Sequence, residues 1–133
     1  MLLYEIMNMS KLFLLIGIAS SGLSVIIGAF GAHGLSDLLT RTERTETFET
    51  AVKYQFYHSL GLILIGILFH LFSQPAIKTS AYLMLIGMII FSGSLYILCL
   101  TNVSKWGAVT PVGGLILIIA WGFLFMGVLK TSF

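Results

Sequence analysis

A chain of 133 residues has room for one domain. Of those residues 58% are hydrophobic and only 9% charged, with a mean hydropathy of +1.04, against about 25% charged in an ordinary soluble domain. The composition therefore specifies an integral membrane protein. The net charge of +2 comes from scattered residues that form no basic cluster, which excludes nucleic acid as a partner. The one cysteine, Cys99, lies inside an apolar run, so no intrachain disulfide and no cysteine-based metal site can form.

In chain order, the first ten residues are irregular and expected to fray. Residues 12–35 then carry no charge and have the length of a spanning helix, about 20 residues at 1.5 Å rise. The run exceeds the usual apolar region of a signal peptide, which favours a retained anchor. Within it Ser20, Ser24, Gly28 and Ala32 recur every fourth residue. Small residues at that spacing make a smooth face for close approach of another helix.

Residues 36–53 hold Asp37, Arg41, Glu43, Arg44, Glu46, Glu49 and Lys53, more than half of all the charges. Thr42 followed by Glu43 and Glu46 reads as a helix start. Glu49 and Lys53 form a favourable i,i+4 pair. Leu38, Leu39, Phe48, Ala51 and Val52 supply an apolar side, so residues 42–53 are expected as an amphipathic segment near the interface that leads into the second span. That span covers residues 54–72 and ends before Pro75. Tyr54 and Tyr57 stand where an aromatic belt belongs. The third span is residues 81–100, followed by a polar turn and Trp106 as an interfacial anchor. The fourth is residues 110–129, with Pro111 in its first turn. Val112-Gly113-Gly114 resembles a loosened helix start and no phosphate cradle, since no Walker lysine accompanies it. The fold class expected for 1–133 is thus all-α, a single four-helix membrane bundle with an amphipathic segment between spans one and two.

Polar residues inside a membrane are the informative ones, because an unpaired buried polar group costs several kcal/mol. His33 closes the first span and His58 opens the second. Positions 51, 55, 58 and 62 share a helix face, so Gln55 and His58 are expected to point the same way. With the two spans as antiparallel neighbours, His33 and His58 would lie near one membrane surface and could meet. Two readings stand side by side: a hydrogen-bonded network that fixes helix register, or a small polar site for a lipid headgroup, a quinone-like head or a titrating proton. Two histidines with no intramembrane Asp, Glu or Cys fall short of the roughly three or four ligands zinc takes, so no metal is expected. Ser92 lacks the glycine spacing of a nucleophile elbow, and no intramembrane acid could orient a histidine in a triad.

The stretches Gly28-Ala29-Phe30-Gly31-Ala32-His33, Thr50-Ala51-Val52 with Tyr54-Gln55 and His58, Phe91-Ser92-Gly93-Ser94-Leu95-Tyr96 and Thr110-Pro111-Val112-Gly113-Gly114 together resemble one family. It is the family of small membrane proteins labelled "domain of unknown function 423". The resemblance extends from Lys11 to about Leu129. It implies a four-span protein without an established enzymatic activity, and marks His33, Gln55, His58, Ser92, Tyr96 and Thr110 as motif positions. The family commonly has glycine before the tryptophan of span four, where this chain has Ala120-Trp121.

The functional expectation is a non-enzymatic, multi-pass protein of the cell (inner) membrane with cytoplasmic termini. It would need no cofactor, bind membrane lipid or a partner, either a homo-oligomer or another membrane protein, and support membrane integrity. Its ligand-binding cluster would comprise His33, Tyr54, Gln55, His58, Ser92, Tyr96 and Thr110. The alternative is a small transporter or proton-coupled channel using His33 and His58. Against transport stands the absence of an intramembrane carboxylate.

Overall fold

The computed structural model describes residues 1–132, the Leu2 side chain excepted; Phe133, the last residue of the expected domain, lies outside the described residues. Among the described residues five α-helices follow in order: α1 (Leu2–Ala32), α2 (Ser36–Arg41), α3 (Thr45–Phe72), α4 (Pro75–Thr101) and α5 (Thr110–Leu129), with a 3-10 helix, Ser104–Ala108, before α5. No strand occurs among the described residues. The four long helices are each long and apolar enough to cross a membrane. Together they form an all-α bundle of membrane-spanning type.

Local chemistry sets the joints. Pro75 opens α4 at the position where its missing N–H costs nothing, and Ser73 closes α3 in the left-handed conformation at φ 52°. Two residues, Ser73 and Gln74, therefore separate α3 from α4 and make them antiparallel neighbours. Asn102 closes α4 in the same way, at φ 53°. Thr42 does not start a helix as the sequence suggested. Its hydroxyl donates to the Leu38 carbonyl (2.8 Å) and so helps to close α2, while α3 begins after Arg44 without a side-chain cap. The amphipathic segment is thus divided: its first residues end α2 and the rest are the opening turns of α3, unbroken into the apolar stretch. The N-terminal residues expected to fray are the first turns of α1, where Ser10 is buried and its hydroxyl donates to the Ile6 carbonyl (2.8 Å).

Packing runs α1 on α3, α3 on α4 and α4 on α5. The middle pair is the centre: 44% of the apolar stretch of α3 and of α4 is buried, against 17% for α1 and 28% for α5. Side chains also reach across, from Phe13 of α1 to Tyr82 of α4 and from Trp121 of α5 to His58 of α3. The larger core cluster contains Phe13, Leu62, Ile65, Ile77, Met84 and Leu117. A smaller one at the other end joins Leu39 of α2 to Phe48 and Cys99.

In a bilayer, leucine against leucine gains little over leucine against lipid, so close approach and hydrogen bonds must hold the helices together. Most of the fourfold stripe lies along the contact with α3: Ser20 bonds Ser59, Ser24 is buried, and Gly28 packs close to Val52. On α1 the buried series is Ser10, Phe13, Gly17, Ser24 and Gly31, stepping by three, four or seven, which keeps one face of a 3.6-residue helix toward its neighbour. Ala32, at the end of the fourfold series, is exposed because steps of four drift around the helix. A side chain at Gly17 would meet the Ser59 carbonyl at 2.8 Å. Gly113 is tighter still: a Cβ there would overlap the backbone of Phe91. It is a close-packing position inside α5, not a loosened helix start.

Candidate functional site

The centre of the polar residues is Gln55, 6% exposed, on the side of α3 that faces both α1 and α4. Its amide nitrogen donates to the Ser20 carbonyl (3.2 Å) and lies 3.4 Å from the Ser20 hydroxyl. Its amide oxygen accepts the Tyr96 hydroxyl proton at 2.7 Å. One turn on, the Ser59 hydroxyl lies 2.6 Å from the Gln55 carbonyl and 2.7 Å from the Ser20 hydroxyl. A hydroxyl has one proton and a carbonyl can only accept, so when Ser59 donates to Gln55 it takes its other bond from Ser20. One side chain thus ties three helices together.

His58 belongs to a different arrangement. Its ring is 7% exposed; Nδ1 lies 2.7 Å from the Tyr54 carbonyl, and Nε2 lies 3.2 Å from the indole nitrogen of Trp121. A carbonyl only accepts and an indole N–H only donates, so the neutral ring with its proton on Nδ1 satisfies both partners. Tyr54, 40% exposed, stacks on Phe91 at 4.5 Å and on His58 at 5.8 Å. Ser92 donates to the Ala51 carbonyl (2.8 Å), locking α4 to α3. Ser94 and Thr110 share a bond of 2.8 Å between α4 and α5.

The expected cluster is therefore distributed over separate helix contacts. Gln55 and Tyr96 come together, as do Tyr54 and His58, whereas Ser92 and Thr110 bond elsewhere. Gln55 and His58 share the buried side of α3, as their spacing suggested, but bond different neighbours: Gln55 serves α1 and α4, and His58 serves α5. Three residues fall about 60° short of a full helical turn, enough to address different neighbours when α3 is flanked on both sides. His33 does not meet His58 either; it is exposed at the end of α1, where its backbone carbonyl accepts the Ser36 hydroxyl at 2.9 Å. Ser59 and Trp121 complete the networks and were not anticipated. Ser59 could have been found one turn beyond Gln55, but nothing local marks Trp121 as a partner of His58. Among the described residues every buried side-chain nitrogen and oxygen has a hydrogen-bond partner, and no group of three His, Cys, Asp or Glu side chains could hold a metal.

A recess of about 170 Å³ opens where α1, α2 and α3 meet. Gly28, Gly31 and Ala32 form its α1 wall, Leu39 comes from α2, and Thr45, Phe48, Glu49, Val52 and Lys53 come from α3. Glu49 and Lys53 are paired at 3.4 Å and each remains more than half exposed. An exposed pair of this kind adds only about 0.3–0.5 kcal/mol to the fold, so its charges stay available to a ligand. Arg44, by contrast, is engaged: its side chain donates to Asn102 at 3.1 Å.

Comparison with known proteins agrees with this architecture. The chain is 43% identical over 120 residues to the UPF0382 membrane protein SH2409 of Staphylococcus haemolyticus, covering 90% of this chain and 97% of that one. It is 39% identical over 121 residues to the UPF0382 membrane protein YwdK of Bacillus subtilis, covering 90% and 98%. No solved structure matches. The family described as "Protein of unknown function (DUF423)" matches residues 27–114, from the α1 wall of the recess to the close contact of α4 with α5. With four apolar helices and membrane-protein relatives matched nearly end to end, the chain is a multi-pass membrane protein that belongs to the DUF423 family.

Proposed function

We propose that this protein is a non-enzymatic component of the cell (inner) membrane that binds lipid and supports membrane integrity. The observation that carries this reading is the direction of its polar groups. Gln55, His58, Ser59, Ser92 and Tyr96 spend their hydrogen bonds within α3 and on neighbouring helices, so among the described residues no row of free polar groups lines a path between the helices. The outward faces of α1 and α5 are apolar, with Ile26, Phe30, Ile118 and Phe125 each more than 60% exposed. Such a surface engages hydrocarbon, and the recess gives it one place of defined shape. On this reading the termini are cytoplasmic, because Lys11, Lys78 and Lys130 at their end are unaccompanied by a nearby amphipathic segment.

Native mass spectrometry of full-length protein in a mild detergent, with proton flux into proteoliposomes measured alongside, tests this reading. The expected result is stoichiometric phospholipid on the protein and flux at the level of protein-free liposomes. Lipid-free protein, with a proton flux that disappears in His58→Ala protein, would replace the reading with transport.

A further inference from the structure

The recess has a chemistry that narrows which lipid it takes. Its interior is small and apolar at Gly28, Gly31, Phe48 and Val52, and Glu49 and Lys53 stand beside it as one anion and one cation in contact. Their position in the first turns of α3, just before Tyr54 and Tyr57, puts them at headgroup height. The two glycines let the α1 wall stand close against α3. A Cβ at Gly31 would run into the Phe48 ring, and one at Gly28 would come within 3.3 Å of Val52. The volume is on the scale of a cavity that holds a benzene-sized guest, suiting a compact headgroup and not a whole lipid.

We infer that this recess binds the headgroup of a zwitterionic phospholipid with a primary amine, phosphatidylethanolamine. The inference rests on the lipid-binding reading above and narrows it. Lys53 takes the phosphate and Glu49 takes the ammonium, so the adjacent pair matches the adjacent charges of the headgroup. The first carbons of the lipid lie against Val52 and the glycine wall. A phosphatidylcholine headgroup has no N–H to give Glu49 and a bulkier cation. Phosphatidylglycerol has no cation and would set its charge beside the carboxylate.

Delipidated full-length protein in detergent is titrated with phosphatidylethanolamine, phosphatidylcholine and phosphatidylglycerol of identical acyl chains, and bound lipid is read by native mass spectrometry. One phosphatidylethanolamine is expected to bind roughly five-fold more tightly than either other lipid, the size of effect one exposed charge contact supplies. Glu49→Gln brings that lipid down to the level of phosphatidylcholine, and Ala32→Phe, which fills the recess from an exposed position, removes the tight site. Unchanged melting of both variants shows that the fold is intact. Equal binding of the three lipids, or a preference that survives both substitutions, overturns the inference while leaving general lipid binding in place. Failure of all three lipids to bind overturns both.

Discussion

At the scale of single residues, the two histidines divide according to burial. His58 is enclosed and bonded at both nitrogens, so its removal strands the Trp121 N–H at a helix contact. A buried donor without a partner costs about 1–3 kcal/mol, and with Trp121 43% exposed the cost here falls at the low end. His33 is exposed, and its side chain joins neither network. His58→Ala protein is therefore expected to melt several degrees below wild type in detergent, and His33→Ala to stay within about 0.5 kcal/mol of it. Equal melting of the two variants would refute this division. That Gln55, His58 and Tyr96 would bond to other groups was legible in the sequence because each is a polar group in an apolar stretch. Which neighbour each one serves was not legible, since that depends on where α1 and α5 lie around α3.

At the scale of helices, stability depends on where backbones come close. Gly113 sits against the Phe91 backbone, and backbone cannot step aside as a flexible side chain can. Gly113→Ala is expected to cost about 1–3 kcal/mol, the usual range for overpacking, through separation of α5 from α4. Gly93 and Gly22 have nothing within 4 Å of the position a Cβ would take. Alanine at either should leave the melting temperature unchanged or slightly raised, since glycine is the poorer helix former by about 1 kcal/mol. Thermal unfolding of the three variants in one detergent checks the contrast. A Gly113→Ala protein as stable as Gly93→Ala would show that α4 and α5 pack less closely than described. Sequence spacing identified α1 as a small-residue helix, and Ser20, Ser24 and Gly28 of its series do lie at the contact with α3, while Ala32 at the end of the series is exposed.

At the scale of the whole molecule, the two ends differ in how their charge is held. The end with the termini carries Lys11, Lys78 and Lys130. The opposite end carries Arg41, Arg44, Lys53 and Lys105, of which Lys53 is paired with Glu49, Arg44 is bonded to Asn102 and Arg41 to the Asp37 carbonyl. With the termini in the cytoplasm, a cysteine introduced at Ser132 in a Cys99→Ala background should react with a membrane-impermeant maleimide only after the cells are permeabilised. One introduced at Ser104 should react in intact cells. The reverse pattern would invert the orientation without touching the fold.

Composition alone determined the membrane class, and the apolar stretches with their proline and polar interruptions determined four long helices, because hydrocarbon admits only backbone that satisfies itself within a helix. The tertiary structure decided what the polar side chains do. It placed α1 and α5 against the central α3–α4 pair so that Gln55 and His58, three residues apart, turn to different partners. It also made the recess between α1, α2 and α3 out of residues up to 25 positions apart in the chain. Spacing along one helix specifies direction around its own axis, but the identity of the group waiting there is set only when the helices pack.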